Sequence, residues 1–398
     1  THIKILKNNK LVPPDDSIAF SLSKLETNKS RNIPKGITAR LRDYQLYGYR
    51  WLSEMTENNF GVCLADDMGL GKTLQVITVL QGYFENRTFV RTKTDFQLSL
   101  FNLNENINEG DADPVSSALL VVPKTLIYNW VEELGKFAPE LTFMVYHGGG
   151  RSKRLEEKIH QVHIVITTYG MIRRDIDHLK TLNFSFLIAD ESQAIKNPQS
   201  KAYKAITQIK TRRKISITGT PLENSPMDLW AQLNLLNKHL LGNRNFFEQT
   251  YVQPISSHPE GPETIELKDI ISPFILRRMK KDVAKELPEK TEQVIYCRMK
   301  EYQKEFYESE KSAIRNELLF SKEKGGNAIN ALAMLNRLRQ IAIHTKLVEQ
   351  NDSGESGKFD NIVFTISTLM EQGHKFLIFS SFVKHLNLFA EYFIQNNI

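Results

Sequence analysis

The sequence predicts an α/β fold with a parallel sheet, and three observations lead to this expectation. First, six short apolar runs alternate with stretches of helical periodicity between residues 61 and 218. Second, the alternation has the spacing of β-α-β units, in which each helix returns the chain to a neighbouring parallel strand. Third, the first run leads through a glycine-rich turn directly into a helical pattern. The runs are GVCLA (61–65), ALLVVP (118–123), FMVY (143–146), HIVITT (163–168), FLIAD (186–190) and KISIT (214–218).

These strands belong to a first lobe, predicted for residues 37–287 after a polar lead-in of residues 1–36. An Asn-rich segment at 85–117 interrupts the lobe. Structureless loops of this length are uncommon inside compact domains, so we interpret the segment as a surface insertion with a small hairpin around FQLSLF. Residues 226–287 have mostly helical patterns and end in the basic run RRMKKDVAK (277–285).

A second, smaller α/β lobe is predicted for residues 288–398. Apolar strands are expected at QVIYC (293–297) and KFLIFSSF (375–382), with long helical patterns across 301–345. One strand pair and a closing helix are too few for a complete doubly wound sheet. The sequence therefore predicts an incomplete second lobe with helical additions.

Composition indicates a globular chain of two-domain size, with 398 residues, 41% apolar and 25% charged. The formal net charge of +6 favours an anionic partner. Cys63 and Cys297 stand too far apart for a CxxC motif, and the histidines are scattered, which argues against a metal cluster. The sequence has neither a signal peptide nor an apolar run of about 18 residues, so we expect an intracellular protein without membrane association.

The stretch LADDMGLGKTLQ (64–75) matches a phosphate-binding loop except that Asp66 stands where the template has its first glycine. An apolar strand precedes it and a helix follows, as such a loop requires. Lys72 would reach the β- and γ-phosphates of a nucleotide, and the Thr73 hydroxyl would bind Mg²⁺. The alternative is a glycine-rich turn with a solvated lysine. The predicted nucleotide-binding residues of this stretch are Asp67, Met68, Gly69, Leu70, Gly71, Lys72, Thr73 and Leu74.

Two further motifs follow apolar strands. In LIADESQAIKN (187–197), Asp190 is a candidate Mg²⁺ ligand and Glu191 a candidate base that polarises the attacking water. The alternative, a solvated acid pair in a loop, is weakened by the phosphate loop upstream. In SITGTPLEN (216–224), Thr218 ends a strand at the edge where ligands bind in open α/β sheets.

A third motif, LRDYQLYGYRWL (41–52), lies shortly before the phosphate loop. The carboxamide of Gln45 can pair with both the donor and the acceptor edge of adenine, because it carries both kinds of group. The aromatic residues around it are more typical of packing than of base stacking. We therefore expect Gln45 to be the adenine contact.

Nine motifs occur in the order found in Swi/Snf-type ATPases of helicase superfamily two, and the resemblance covers residues 37–398. The family usually has Asp-Glu-Met-Gly-Leu-Gly-Lys-Thr at the phosphate loop, so Asp66 is its normal residue and Asp67 a mild departure. Asp-Glu-Ser-Gln replaces the Asp-Glu-Ala-His of many members, and Gln193 can still bridge the nucleotide and a neighbouring motif. The motifs are LRDYQLYGYRWL, DDMGLGKT, LLVVPKTLIYNW, VITTYG, DESQAIKN, ITGTPLEN, SPFILRRMKKDVAKELPEK, LRQIAIH and KFLIFSSF.

The resemblance implies two RecA-like lobes that bind ATP and Mg²⁺ between them. The implied catalytic residues are Lys72, Asp190, Glu191 and Gln193, with Thr73 and Asp190 on the metal and Gln45 on the adenine. The implied contacts with the DNA backbone are Pro123, Lys124, Trp130, Thr167, Thr168, Lys196 and Asn197. Trp130 is equally consistent with packing. The basic run 277–285 is interpreted as a brace between the lobes near DNA, with a solvated face as the alternative.

The expected function is an ATP-dependent translocase on double-stranded DNA that remodels complexes between DNA and an unidentified protein, such as RNA polymerase or another nucleoprotein. A strand-separating DNA or RNA helicase and a DNA-binding scaffold with an inactive ATPase are the alternatives. The resemblance also implies a later arginine motif that is absent before Ile398, so we expect this fragment to be weakly active. Its compact core favours a prokaryotic, nucleoid-associated cytoplasmic protein; a eukaryotic member would be nuclear.

Overall fold

The computed structural model of the protein describes residues 31–85, 116–219, 226–283, 291–322, 328–349, 354 and 356–398. They form two compact units, one up to residue 283 and one from residue 291. The predicted lead-in and insertion lie almost wholly outside the described ranges, as does the hairpin around FQLSLF. Within those ranges, none of the helices combines the length and the apolar character needed to cross a membrane.

A seven-stranded sheet forms the centre of the first unit, in the order β3-β4-β2-β5-β6-β1-β7. Every pair of neighbouring strands is parallel, which confirms the predicted α/β fold. Each of the six predicted apolar runs contributes one strand. The strands are β1 (Val62–Leu64), β2 (Ala118–Val122), β3 (Phe143–Val145), β4 (Ile164–Thr168), β5 (Asn183–Asp190), β6 (Lys210–Ile217) and β7 (Ile275–Leu276).

Helices cover both faces of this sheet, which explains why the predicted runs are continuously apolar. Every residue of β1, β2 and β4 is buried, as expected for strands packed on two sides. The helices are α1 (Asp43–Glu57), α2 (Lys72–Phe84), α3 (Ile127–Phe137), α4 (Arg151–Lys158), α5 (Tyr169–Leu179), α6 (Lys201–Ile206), α7 (Pro226–Leu236), α8 (Arg244–Phe247), α9 (Gln253–Ser257), α10 (Pro262–Ile271) and α11 (Lys280–Val283).

The edge strand β7 lies within a region for which the sequence predicts mostly helices. It has only two residues and pairs with β1, placing Ile275 opposite Cys63 and Leu276 opposite Leu64. Two residues are too few to show a sequence periodicity, so this segment is recognisable as a strand only by its pairing with β1. The pairing brings the start of the basic run next to the phosphate loop.

Three neighbouring strands end at the same level of the sheet. Ile217 of β6 is in register with Asp190 of β5 on one side and with Leu64 of β1 on the other. Because all three strands are parallel, the chain leaves them at one edge. The phosphate loop, the acid pair and the turn at Thr218 therefore emerge side by side, as expected for a ligand site in an open α/β sheet.

The described part of the second unit consists of helices joined by segments without regular strands. The helices are α12 (Glu301–Lys322), α13 (Ala328–Ile343), α14 (Gly357–Glu371) and α15 (Val383–Gln395). They are held together by contacts such as the stacking of Phe359 on Phe389, with ring centroids 4.6 Å apart. The Gln303 side chain also donates a hydrogen bond to the Ile341 carbonyl oxygen at 2.8 Å.

The strands predicted at 293–297 and 375–382 do not form in this unit. Residues 291–300 and 374–380 have no regular secondary structure, and both segments line a cavity of about 380 Å³ beside α14. Tyr296 and Phe379 are 92% and 87% exposed. A segment becomes a strand only when a neighbour supplies the ladder of hydrogen bonds, and neither segment has a partner strand among the described residues.

Candidate active site

The loop between β1 and α2 has the backbone of a phosphate cradle. Gly69 and Gly71 have positive φ angles of 82° and 72°, a conformation that other residues rarely adopt. A Cβ atom on Gly71 would also lie 2.4 Å from the Nε2 atom of Gln45. Helix α2 begins at Lys72, directly after the loop, so its free N–H groups and positive helix end lie where an anion binds.

Lys72 is the first residue of α2, and its side chain reaches back to the loop. Its ammonium group donates hydrogen bonds to the carbonyl oxygens of Asp66 at 2.8 Å and Asp67 at 3.2 Å. Burial lowers the pKa of Lys72, and the nearby carboxylates of Asp66, Glu191 and Asp190 oppose that effect. The structure thus brings the lysine together with the acid pair, although they are more than a hundred residues apart in the sequence.

A cavity of about 630 Å³ opens beside the loop, within the size range of small-molecule sites. The side chain of Leu70 packs in the core, so only its backbone is available to a ligand. The exposed Met68 contacts the neighbouring turn, since a Cβ on Gly219 would lie 3.3 Å from its Cγ atom. Predicted nucleotide-site residues that line the cavity are Gln45, Gly69, Leu70, Gly71 and Leu74.

Gln45 connects helix α1 to the loop. Its Oε1 atom accepts a hydrogen bond from the Arg42 backbone N–H at 3.0 Å, and its Nε2 atom donates to the Leu70 carbonyl at 3.2 Å. A carboxamide has two N–H donors and two acceptor lone pairs. One donor and one acceptor position therefore remain for an adenine edge.

The carboxylate of Asp190 is held from both sides at the end of β5. The indole Nε1 of Trp130 donates to Oδ2 at 2.7 Å, and the Glu191 backbone N–H donates to Oδ1 at 2.9 Å. The Tyr169 hydroxyl donates to the Asp190 carbonyl at 2.6 Å. Burial raises the pKa of Asp190, while the hydrogen bonds from Trp130 and Glu191 oppose that rise.

A relay of hydrogen bonds leads away from Glu191, which has a left-handed backbone with a φ of 49°. The Gln193 side chain donates to Glu191 Oε2 at 2.6 Å. The Thr218 hydroxyl in turn donates to Gln193 Oε1 at 3.0 Å, and the Thr218 backbone N–H donates to the Leu64 carbonyl at 3.1 Å. The predicted base is thereby connected to the ends of β6 and β1.

The residues around Lys72 fit a magnesium ion. The Thr73 hydroxyl, in the first turn of α2, and the Asp190 carboxylate offer the hard oxygen ligands that Mg²⁺ prefers. No group of three or more His, Cys, Asp or Glu side chains suited to a metal occurs among the described residues.

Four of the seven predicted DNA contacts are accessible. Lys124 and Asn197 are exposed, and Pro123 and Lys196 are half-buried. Lys124 begins a short 3₁₀ turn directly after β2, and Lys196 follows the acid pair. These positions agree with contacts from the carboxyl edge of the sheet but do not test them.

The side chains of the other three predicted contacts are buried. Trp130 is 2% exposed and donates to Asp190, which favours its alternative interpretation as a packing residue. The Thr167 hydroxyl donates to the Tyr146 carbonyl at 3.3 Å. Thr168 caps α5 by accepting from the Met171 N–H at 3.3 Å. In both cases a local hydrogen bond occupies the hydroxyl group.

Sequence reasoning missed two partners of Asp190. Tyr169 is not among the predicted site residues, and Trp130 is predicted as either a DNA contact or a packing residue. Burial and the charges of Asp190 and Glu191 raise the pKa of Tyr169 well above its ordinary value, so its hydroxyl remains a donor. The only signal in the sequence was the order of the motifs that contain these residues. Strands β4 and β5 lie on either side of β2 in the sheet, so residues that follow the three strands come close together.

Comparisons with known proteins give a consistent result. A model of the SNF2-related domain matches residues 44–347. Among solved structures, the SWI2/SNF2 ATPase core of Sulfolobus solfataricus in complex with dsDNA is 36% identical with a TM-score of 0.54, over 89% of this chain and 70% of that chain.

Curated relatives are longer than this chain. YwqA of Bacillus subtilis (strain 168), whose name describes an ATP-dependent helicase/translocase, is 31% identical over 383 residues, 94% of this chain and 38% of YwqA. The chromatin-remodeling ATPase INO80 of Arabidopsis thaliana is 27% identical over 380 residues, 88% of this chain and 24% of INO80. The chain therefore belongs to the SNF2 family, whose members include ATP-dependent helicases and chromatin-remodeling ATPases.

Proposed function

We propose that this chain is the ATP-hydrolysing core of a translocase on double-stranded DNA that remodels protein–DNA complexes. The observation that carries the proposal is the assembly of Lys72, Asp190, Glu191 and Gln193 beside the ends of β1 and β5, which only β6 separates in the sheet. Membership of the SNF2 family supports the use of ATP.

In the proposed mechanism, each side chain has one role. Lys72 neutralises charge on the β- and γ-phosphates, and Gln45 contacts the adenine. Thr73 and Asp190 would hold Mg²⁺, which would supply electrostatic stabilisation of the phosphate oxygens. Glu191 accepts the proton of the attacking water. The hydrogen bonds from Glu191 through Gln193 to Thr218 couple the presence or loss of the γ-phosphate to the position of the turn after β6.

Duplex DNA is the proposed track. The Sulfolobus solfataricus ATPase core was solved in complex with dsDNA, and this chain has a net charge of +6. Exposed Lys124 and half-buried Lys196 follow strands at the active-site edge. Contacts of this kind bind phosphates without reading bases, so the tracking we propose is independent of sequence.

Two other functions remain as alternatives. A strand-separating helicase agrees with the names of several relatives, and an assay for separated strands distinguishes it from a translocase. A DNA-binding scaffold with an inactive ATPase is disfavoured because the phosphate loop and both acids are intact.

We propose that the substrate is an unidentified DNA-bound protein, RNA polymerase or another nucleoprotein. We also propose that the protein is located at the nucleoid, or in the nucleus of a eukaryote.

We expect the chain to bind duplex DNA more tightly than single-stranded DNA of equal length. Its affinity should fall by about 0.9 log unit per neutralised phosphate for each tenfold rise in salt. Fluorescence anisotropy over a salt series measures both quantities. Lys124→Ala should lower the salt slope by about one unit, whereas Lys268→Ala, an exposed lysine of α10 outside the predicted contacts, should not. Salt-insensitive binding or a preference for single strands would contradict the proposal.

Replacing Trp130 by phenylalanine tests the position of Asp190. The change preserves an aromatic ring in the core but removes the N–H donor to a buried carboxylate, a bond worth about 1.5–3 kcal/mol. We expect turnover to fall about tenfold and half-maximal turnover to need more Mg²⁺, as measured by a Mg²⁺ titration of phosphate release. Trp230→Phe is the matched control, since Trp230 is also buried and donates to the Gly242 carbonyl. An unchanged Mg²⁺ dependence in Trp130→Phe would show that the bond is not needed.

A further inference from the structure

Asp66, which replaces the first glycine of the phosphate-loop template, is paired with an arginine 212 residues away. Its carboxylate is fully buried. The Arg278 guanidinium donates from Nε to Oδ1 at 2.9 Å and from Nη2 to Oδ2 at 2.5 Å. Two parallel N–H to carboxylate bonds form the bidentate geometry that is both strong and specific in direction.

The same guanidinium contacts the other segments that surround the loop. Its Nη2 atom donates to Gln75 Oε1 in α2 at 2.8 Å, and its Nη1 atom donates to the Tyr44 carbonyl in α1. Its carbon Cζ lies 5.4 Å from the centre of the Tyr44 ring. Arg278 thus joins the loop to α1 and to α2, both of which contribute residues to the nucleotide cavity.

Backbone bonds reinforce this connection. The Asp67 N–H donates to the Arg278 carbonyl at 3.0 Å, and the Lys280 N–H donates to Asp67 Oδ2 at 2.9 Å. The loop is therefore held along both Asp66 and Asp67 by the segment after β7. A glycine at position 66 would have no carboxylate to accept the two hydrogen bonds from the Arg278 guanidinium.

We propose that Arg278 is a positioning residue of the ATP site, which holds the phosphate loop in its binding conformation through Asp66. The inference rests on the proposed function, because it concerns the affinity of the same site. An arginine whose guanidinium donates to Asp66, Gln75 and Tyr44 influences phosphate binding through the shape of the loop. Loss of its side chain should weaken nucleotide binding even where the fold is retained.

The chain also contains an ion pair outside the phosphate loop, which serves as a matched control for the pair of Arg278 and Asp66. Arg151 and Asp175 form an equivalent bidentate pair, with bonds of 2.6 and 2.8 Å. This pair lies beside β3 and β4, at the opposite end of the sheet from β1. Breaking it removes the same kind of contact without touching the phosphate loop.

The experiment measures the dissociation constant of a fluorescent ADP analogue with Mg²⁺, together with the melting temperature, for the whole chain and its variants. Arg278→Ala should weaken binding about tenfold or more, since hydrogen bonds to a charged group are lost. Arg278→Lys, which preserves the charge but not the fork, should have an intermediate effect. Arg151→Ala should lower the melting temperature and leave the dissociation constant unchanged.

Wild-type affinity in a folded Arg278→Ala protein would overturn the inference. If that variant does not fold, wild-type affinity in Arg278→Lys would overturn it equally. An affinity loss of the same size in Arg151→Ala would also do so, because the effect would then be general destabilisation. Failure of the wild-type chain to bind the analogue would instead contradict the proposed function itself.

Discussion

Replacing Lys72 by alanine is expected to abolish ATP turnover and to weaken the binding of Mg²⁺-ATP. Lys72 carries the positive charge inside the phosphate loop, where its ammonium donates to the carbonyls of Asp66 and Asp67. Removing one preorganised donor to developing charge typically costs about 10²–10³ in rate. We expect a loss of at least that size, measured as phosphate release by a coupled assay.

Lys214 provides the control for this prediction. It is another half-buried lysine of the same unit, its pKa is also lowered by burial, and its ammonium donates to the Leu235 carbonyl at 2.9 Å. Lys214→Ala should have the wild-type rate of ATP turnover per folded molecule. Substantial turnover in Lys72→Ala would mean that the glycine-rich loop is only a turn with a solvated lysine.

Glu191→Gln is expected to separate binding from hydrolysis. The change is nearly isosteric and removes only the charge and basicity of the carboxylate, so Mg²⁺-ATP should still bind. Loss of a general base typically costs about 10²–10⁴ in rate. Equilibrium binding of ATP and single-turnover phosphate release, measured on the same preparation, distinguish the two steps.

Glu140→Gln is the control for this variant, because Glu140 also accepts a hydrogen bond from a glutamine amide, that of Gln81 at 3.4 Å. It lies outside the acid pair and should leave both steps unchanged. Wild-type turnover in Glu191→Gln would remove Glu191 from its assigned role, and the relay through Gln193 and Thr218 would lose its connection to catalysis.

Local patterns were sufficient to predict most of the sheet and the main nucleotide loop. The strands β1, β2 and β4 are buried along their whole length, so they appear in the sequence as short, mostly apolar runs. The loop before Lys72 is constrained by its own backbone, so its glycines are visible in the sequence. Both features depend on neighbouring residues alone.

Features that depend on distant partners could not be predicted in the same way. Strand β7 exists only through its pairing with β1, and the segments 293–297 and 375–382 lack a partner strand. Trp130 contacts Asp190 across two layers of the fold, so its motif alone left packing and DNA binding equally open. The bond from Arg278 to Asp66 joins positions at opposite ends of the first unit's sequence.

The most direct test of the central claim is the rate of phosphate release by this chain with duplex DNA, with single-stranded DNA of equal length, and without DNA. A duplex-tracking ATPase predicts a low basal rate that duplex DNA raises more than single-stranded DNA does, and no rise in the Glu191→Gln protein. Equal or greater stimulation by single strands, or a rate that DNA of either kind leaves unchanged, would contradict it.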